Sequence, residues 1–92
     1  MTKIYTAKYW GGETMRTAAD PEKKRILDFF GGVPFTGATS GHFSDEITGE
    51  EVPGSWLVFE HGNYSWDSSD VYHFAKYDLE LTPEFRAYAL AH

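Results

Sequence analysis

The sequence predicts an α+β fold, a small and mostly antiparallel sheet of three to five strands with one or two helices packed on one face. Three observations support it. Short β-rich segments are separated by turn residues, two segments carry helix-start signals, and no repeat or linker divides the chain. The 92 residues fit one compact domain spanning residues 1–92.

Segments rich in β-branched and aromatic residues predict the strands. We expect strands over residues 3–10, 13–18, 42–47, 55–61 and 70–81. The last is predicted to be the longest because two kinds of side chain alternate along it. One face would carry Val71, His73, Ala75, Tyr77, Leu79 and Leu81, with Tyr72, Phe74, Lys76, Asp78 and Glu80 on the other.

The connections follow from the turn residues. Gly62-Asn63 suits a two-residue hairpin between the strand at residues 55–61 and the segment after it. Residues 33–41, "VPFTGATSG", are predicted to be a loop because glycine and proline interrupt them. The hairpin register would place on one sheet face Leu57, Phe59, His61, Tyr64 and Trp66.

Two helices have recognisable first turns. Asp20 is predicted to cap the first, with Pro21 at its first position and Gly31-Gly32 at its end. Thr82 and Pro83 predict the start of the second in the same way. The inward stripes would be Ile26, Phe29 and Phe30 in the first helix, and Phe85, Tyr88 and Ala89 in the second.

The net charge of −6 is unevenly distributed. Residues 1–30 carry six basic and four acidic side chains, whereas residues 31–92 carry ten acids against Lys76 and Arg86. Direct binding to nucleic acid is not expected, because phosphates require cationic contacts. The natural complement of such a surface is a basic protein.

Several other classes are disfavoured. The chain has no cysteine, so it has neither disulfides nor thiolate metal ligands. It has no apolar run long enough to span a membrane and no signal-like N-terminal segment, which predicts a cytoplasmic protein without membrane contact. The glycine-rich "FTGATSGH" lacks the lysine of a phosphate-binding loop.

Metal and catalytic motifs are also missing. His42 lies near Asp45 and Glu46, but neither zinc spacing nor a calcium-loop pattern is present. His73 is expected to be a hydrogen-bonded core residue. We therefore predict no metal, no cofactor and no catalytic residue.

The segment "HFSDEITGEE", residues 42–51, holds four carboxylates and no Lys or Arg. Other acids extend the same sign toward the C-terminus. On the predicted long strand, Asp78 and Glu80 would lie roughly 6–7 Å apart, close to the phosphate spacing of a nucleic-acid strand.

The leading hypothesis is a small, acidic, non-enzymatic binding protein that docks on a basic protein surface. Its sharpest version is an inhibitor that imitates nucleic acid, such as a phage-encoded anti-CRISPR or anti-restriction protein, with a nucleic-acid-binding protein or complex as partner. The predicted partner-binding residues are Asp45, Glu46, Glu50, Glu51, Asp67, Asp70, Asp78 and Glu80, with Trp10 and Trp66 as aromatic anchors.

Two alternatives from other classes remain open. One is a small enzyme or ligand-binding domain that uses the face carrying His61, Tyr64 and Trp66. The other is a self-associating structural accessory protein, for which a concentration-dependent oligomer would be the sign.

Overall fold

A computed structural model of the chain describes residues 4–5 and 18–92. Three helices and five strands lie within them. In chain order they are α1 (Lys23–Gly32), β1 (Phe35–Thr39), β2 (Phe43–Ser44), β3 (Glu51–Val52), β4 (Trp56–His61), β5 (Tyr64–Asp67), α2 (Ser68–Tyr77) and α3 (Pro83–Ala91).

The strands form two antiparallel sheets. The larger has the order β1–β4–β5, and β2 pairs with β3 in a separate two-stranded ribbon. The helices pack against the sheet, which confirms the α+β prediction. No helix in the described part of the chain is long and apolar enough to cross a membrane.

The predicted hairpin is present. β4 and β5 pair from Val58 opposite Asp67 to His61 opposite Tyr64, with Gly62 and Asn63 between them. Gly62 has a φ of 59°, a conformation that favours glycine. The register places Phe59 opposite Trp66, so these side chains share a face, as expected.

The helix starts agree in part with the sequence. α3 begins at Pro83 and the Thr82 side chain accepts a hydrogen bond from the Phe85 N–H, as predicted. α1 begins at Lys23, two positions after the predicted start. Asp20 does not cap the helix: its Oδ1 accepts from the Glu22 N–H at 2.9 Å, and its carboxylate also pairs with Arg86.

The predicted long strand over residues 70–81 is wrong. Its first eight residues belong to α2, which Asp67 and Asp70 start with reciprocal side-chain to backbone hydrogen bonds, a capping box. Asp78 ends the helix in the left-handed conformation, with φ 54°. The apolar residues of this segment fit a helical pattern as well as an alternating one, and the capping box selects the helix.

Two shorter predictions are also corrected. Residues 35–39, within the predicted loop 33–41, are strand β1. Of the predicted strand 42–47, only Phe43–Ser44 is extended, and a turn follows. The predicted strand 13–18 and most of the strand 3–10 fall outside the described residues. Tyr5 forms a bridge with Leu81.

The core lies between the helices and the larger sheet. Its centre is a cluster of aromatic rings in which Trp66, 3 % exposed, lies 5.3 Å from Phe30 and 5.5 Å from Phe85 between ring centroids. Ile26, Leu79 and Phe74 are among the other buried residues of this core. Aromatic rings in edge and offset contact stabilise such a core beyond the area that they bury.

Candidate functional site

The acidic segment contains β2 and ends at the first residue of β3, and residues 45–51 are called the acidic loop below. A backbone hydrogen bond closes it, from the Asp45 N–H to the Glu50 carbonyl at 2.7 Å. Inside the loop, Oδ1 of Asp45 accepts the N–H groups of Ile47 at 2.8 Å and Thr48 at 2.9 Å. The first carboxylate of the run therefore organises the backbone that follows it.

Asp45 is buried, with 1 % of its surface exposed. Its second oxygen, Oδ2, accepts hydrogen bonds from the hydroxyls of Tyr72 at 2.7 Å and Tyr77 at 2.6 Å, and Lys76 Nζ lies 3.3 Å away. All three partners are on α2. Buried charge is tolerated where it is fully hydrogen-bonded and paired, and both conditions are met here.

The pKa of the Asp45 carboxyl reflects this environment. Burial on its own would raise the pKa, but the hydrogen bonds from Tyr77, the Thr48 N–H, Tyr72 and the Ile47 N–H outweigh burial and hold the pKa well below its usual range. The Tyr77 pKa is raised in turn, because its hydroxyl donates to Asp45. Asp45 is an anion whose lone pairs are in use, which is unsuitable for proton transfer.

A second contact fixes the loop. His73 on α2 is fully buried, and its Nδ1 lies 2.6 Å from the Ser69 carbonyl, to which it can only donate. In the neutral ring Nε2 is then an acceptor, and it receives the backbone N–H of Glu46 at 2.9 Å. His73 is thus a hydrogen-bonded core residue, as expected, although it lies on a helix.

The remaining acids of the loop face solvent. Glu46, Glu50 and Glu51 are exposed, and among them lies Ile47, one of the large apolar side chains that the structure leaves exposed, at 39 %. Nδ1 of His42 lies 2.7 Å from the Gly54 carbonyl oxygen, which can only accept, so the ring donates in this hydrogen bond. The loop therefore presents three carboxylates beside one apolar side chain.

The other predicted partner-binding residues do not join this group. Asp67 and Asp70 form the capping box of α2, and Asp78 pairs with Lys23. Glu80 is exposed in the segment between α2 and α3. The carboxylates of Asp67, Asp70 and Asp78 are therefore engaged at the start of α2 and in an ion pair. Asp78 ends α2, so the expected row of Asp78 and Glu80 along a strand does not exist.

The aromatic anchors differ from what was expected. Trp66 is buried among Phe29, Phe30, Phe59 and Phe85, so it offers no surface to a partner. Among the described residues its buried indole N–H has no hydrogen-bond partner. Trp10 lies outside the described residues.

The alternative site around His61, Tyr64 and Trp66 is packed against the helices. The Tyr88 hydroxyl contacts Nδ1 of His61, and the Tyr64 ring lies 4.9 Å from that of Phe85. A groove of about 360 Å³ does exist nearby, between α1 and the end of α3. It is lined by Arg25, Asp28, Phe29, Ala89, Leu90, Ala91 and His92, and not by Tyr64 or Trp66.

Sequence reasoning missed the residues that hold Asp45. Tyr72 and Lys76, four residues apart, lie on one side of α2, and Tyr77 reaches the same Asp45 oxygen from the next position. On the predicted strand, Tyr77 would have faced away from the other two. Among residues 4–5 and 18–92, no three His, Asp or Glu side chains are grouped so as to hold a metal ion.

Comparisons with known proteins add no assignment to this geometry. No protein-family model matches the chain, and neither the curated proteins nor the solved structures yielded a match.

Proposed function

We propose that this chain is a small acidic binding protein that docks on a positively charged protein surface through the acidic loop. The observation that carries the proposal is the pair of anchors on α2. Asp45 and His73 hold the backbone of the loop in place, while Glu46, Glu50 and Glu51 stay exposed.

A loop with a fixed backbone favours binding, because little conformational entropy of that loop is lost when a partner binds. Immobilising a flexible loop opposes association, so a loop already held by buried hydrogen bonds loses less on binding. Its carboxylates can steer a basic partner during encounter, and the exposed Ile47 can be covered afterwards. The arrangement of an apolar side chain within a charged rim is typical of protein interfaces.

The local charge supports a basic partner. Within the described residues Lys76 is the lysine that contacts the loop, and its ammonium is already in contact with the Asp45 carboxylate and the Tyr72 hydroxyl. The three exposed glutamates are therefore not neutralised by it. Nε2 of His42 lies 4.0 Å from a carboxylate oxygen of Glu51. A surface of one sign attracts its opposite at a distance set by the ionic strength.

Imitation of nucleic acid remains the narrower form of the proposal, as in an inhibitor of a nucleic-acid-binding complex encoded by a phage. The carboxylate row of a long strand no longer supports it, so the acidic loop alone must occupy the basic groove. The same proposal assigns no enzymatic step and places the chain in the cytoplasm.

Affinity capture from a lysate at low and high salt tests the proposal. The loop variant Glu46→Gln/Glu50→Gln/Glu51→Gln is compared with a control that removes three exposed acids elsewhere, Asp28→Asn/Glu60→Gln/Glu84→Gln. We expect the wild type and the control to retain a basic protein at low salt and release it at high salt, while the loop variant does not retain it. Excess DNA should displace that protein if the narrower form holds.

Equal capture by the loop variant in low salt would show that the loop is not the site. Because both variants change the net charge by the same amount, a general effect of charge would lower capture by both alike.

A further inference from the structure

The edge of the larger sheet is a second surface that the acidic loop does not explain. β1 is at one end of the order β1–β4–β5 and, within the described residues, pairs with β4 alone. Four of its five residues are exposed. An edge strand presents unpaired backbone N–H and C=O groups, which makes it a template for another strand.

This edge has little of the usual protection. Natural edge strands carry charged side chains, proline or bulges that deter pairing. No Asp, Glu, Lys or Arg occurs between Asp28 and Asp45, a stretch that contains the whole of β1. Pro34 and the irregularity between Phe35 and Gly37 protect the first end of the strand only.

An aromatic row also ends at this edge. Trp66 stacks on Phe59 with ring centroids 6.2 Å apart, and Phe35 lies opposite Phe59 on the neighbouring strand. Exposure rises along the row, from 3 % for Trp66 to 58 % for Phe35. The apolar surface that begins in the core thus continues into solvent at β1, where burial of a phenyl ring would stabilise an added strand.

We propose that a second copy of this chain docks on β1 by antiparallel strand pairing across a two-fold axis, which continues the sheet from one copy into the other. A two-fold axis brings a strand antiparallel to its own copy, so one edge supplies both halves of the interface. Phe35 lies opposite Phe59 and Ala38 opposite Leu57, so both face the helices. A register that keeps the two sheet faces aligned brings these core-side residues of one copy next to core-side residues of the other.

Charge favours a second copy over a basic protein at this edge. The chain carries a net charge of −6, so two copies repel one another over most of their surfaces. That repulsion is least where the approaching strands are uncharged, and an uncharged edge gives a basic partner nothing to recognise. A basic partner and a second copy would therefore use different surfaces.

The dimer should be weak and should respond to salt in a particular direction. A strand of five residues buries less than the roughly 1,200 Å² at which stable interfaces begin. Added salt screens the repulsion between acidic copies and strengthens the dimer. Docking of the acidic loop on a basic protein has the opposite salt dependence, so the two interactions can be told apart.

Sedimentation velocity over a range of protein concentrations, at low and high salt, tests the dimer. Wild type is compared with Phe35→Lys and Ala38→Lys, and with Ile47→Lys as a control that makes a similar change on the acidic loop. We expect concentration-dependent dimer in the wild type and the control, most in high salt, and loss of dimer in both β1 variants. Circular dichroism checks that each variant is folded.

Hydrogen exchange locates the interface independently of any variant. Amides within residues 35–39 should exchange more slowly as the protein concentration rises. A monomer at every concentration in high salt, a dimer that survives both β1 variants, or protection that arises elsewhere would overturn the proposal. Protection of β1 only upon addition of another protein would also overturn it.

Discussion

The backbone N–H of Glu46 donates to Nε2 of His73 at 2.9 Å, across 27 positions of sequence. This bond joins the start of the acidic loop to the buried side of α2. The Asp45 carboxylate makes a second junction one residue earlier, through two tyrosines of the same helix. Two adjacent anchors fix the loop, which is why its exposed glutamates form a surface of defined shape.

Asp45→Asn should destabilise the protein by about 3 kcal/mol, because hydrogen bonds to a buried charge are worth roughly 1.5–3 kcal/mol each and the amide keeps only part of them. Chemical denaturation measures the change. Glu50→Gln, on the exposed part of the loop, should stay within about 0.5 kcal/mol of wild type. Equal effects of the two substitutions would contradict the role given to Asp45.

Tyr77→Phe should cost about 2 kcal/mol in the wild type, because it removes a donor from a buried carboxylate. In the Asp45→Asn background the same substitution should cost much less, since the charge that strengthened the bond is gone. A double-mutant cycle on the free energy of unfolding gives the coupling. Additive costs would mean that the Tyr77 hydroxyl does not act through the charge of Asp45.

Acid should weaken the fold through Asp45. Its pKa is held below the usual value, mainly by hydrogen bonds that overcome burial, so the folded state favours the ionised form. This contribution is fully present above the ordinary carboxyl pKa of about 3.9 and is lost as pH falls below it. Stability measured from neutral pH downward should fall less steeply for Asp45→Asn than for wild type. Parallel curves would contradict the account.

Gly62→Ala should cost more than Gly49→Ala. Both glycines have positive φ, 59° and 79°, so both substitutions strain the backbone. An added Cβ at Gly62 would also lie 2.5 Å from the Tyr88 hydroxyl oxygen, whereas one added at Gly49 would have no neighbour among the described residues within 4 Å. We expect about 1 kcal/mol of loss at Gly49 and a larger loss at Gly62. Thermal unfolding of the two variants measures the difference in stability. Equal losses of stability would show that the Tyr88 side chain moves aside without cost.

The sequence was sufficient where local signals act alone. Gly62-Asn63 specified the hairpin, and Thr82-Pro83 specified the start of α3, because a turn or a cap depends on a few neighbouring residues. The aromatic stripe of α1 was also visible, and it does pack in the core through Ile26 and Phe30.

The other elements and the surroundings of Asp45 depend on contacts between residues that are far apart in the sequence, and local sequence patterns do not reveal these contacts. Val71, His73 and Tyr77 fit an alternating pattern, yet the Asp67–Asp70 capping box starts a helix there. Residues 33–41 read as a loop because Gly37 and Pro34 disfavour strands, but pairing with β4 makes β1. Asp45 looked like one more exposed acid, because its partners lie about thirty positions away on that misassigned helix.

Amide hydrogen exchange in the acidic loop is the most direct test of the central claim, that buried contacts hold the loop in one conformation. The amides of Glu46, Ile47 and Thr48 all donate to side chains of His73 or Asp45, although these residues are on the surface. We predict that the three amides are protected in the wild type and that those of Ile47 and Thr48 lose protection in Asp45→Ala, which removes the oxygen that accepts them. Exchange at the rate of an unstructured peptide in the wild type would contradict the account.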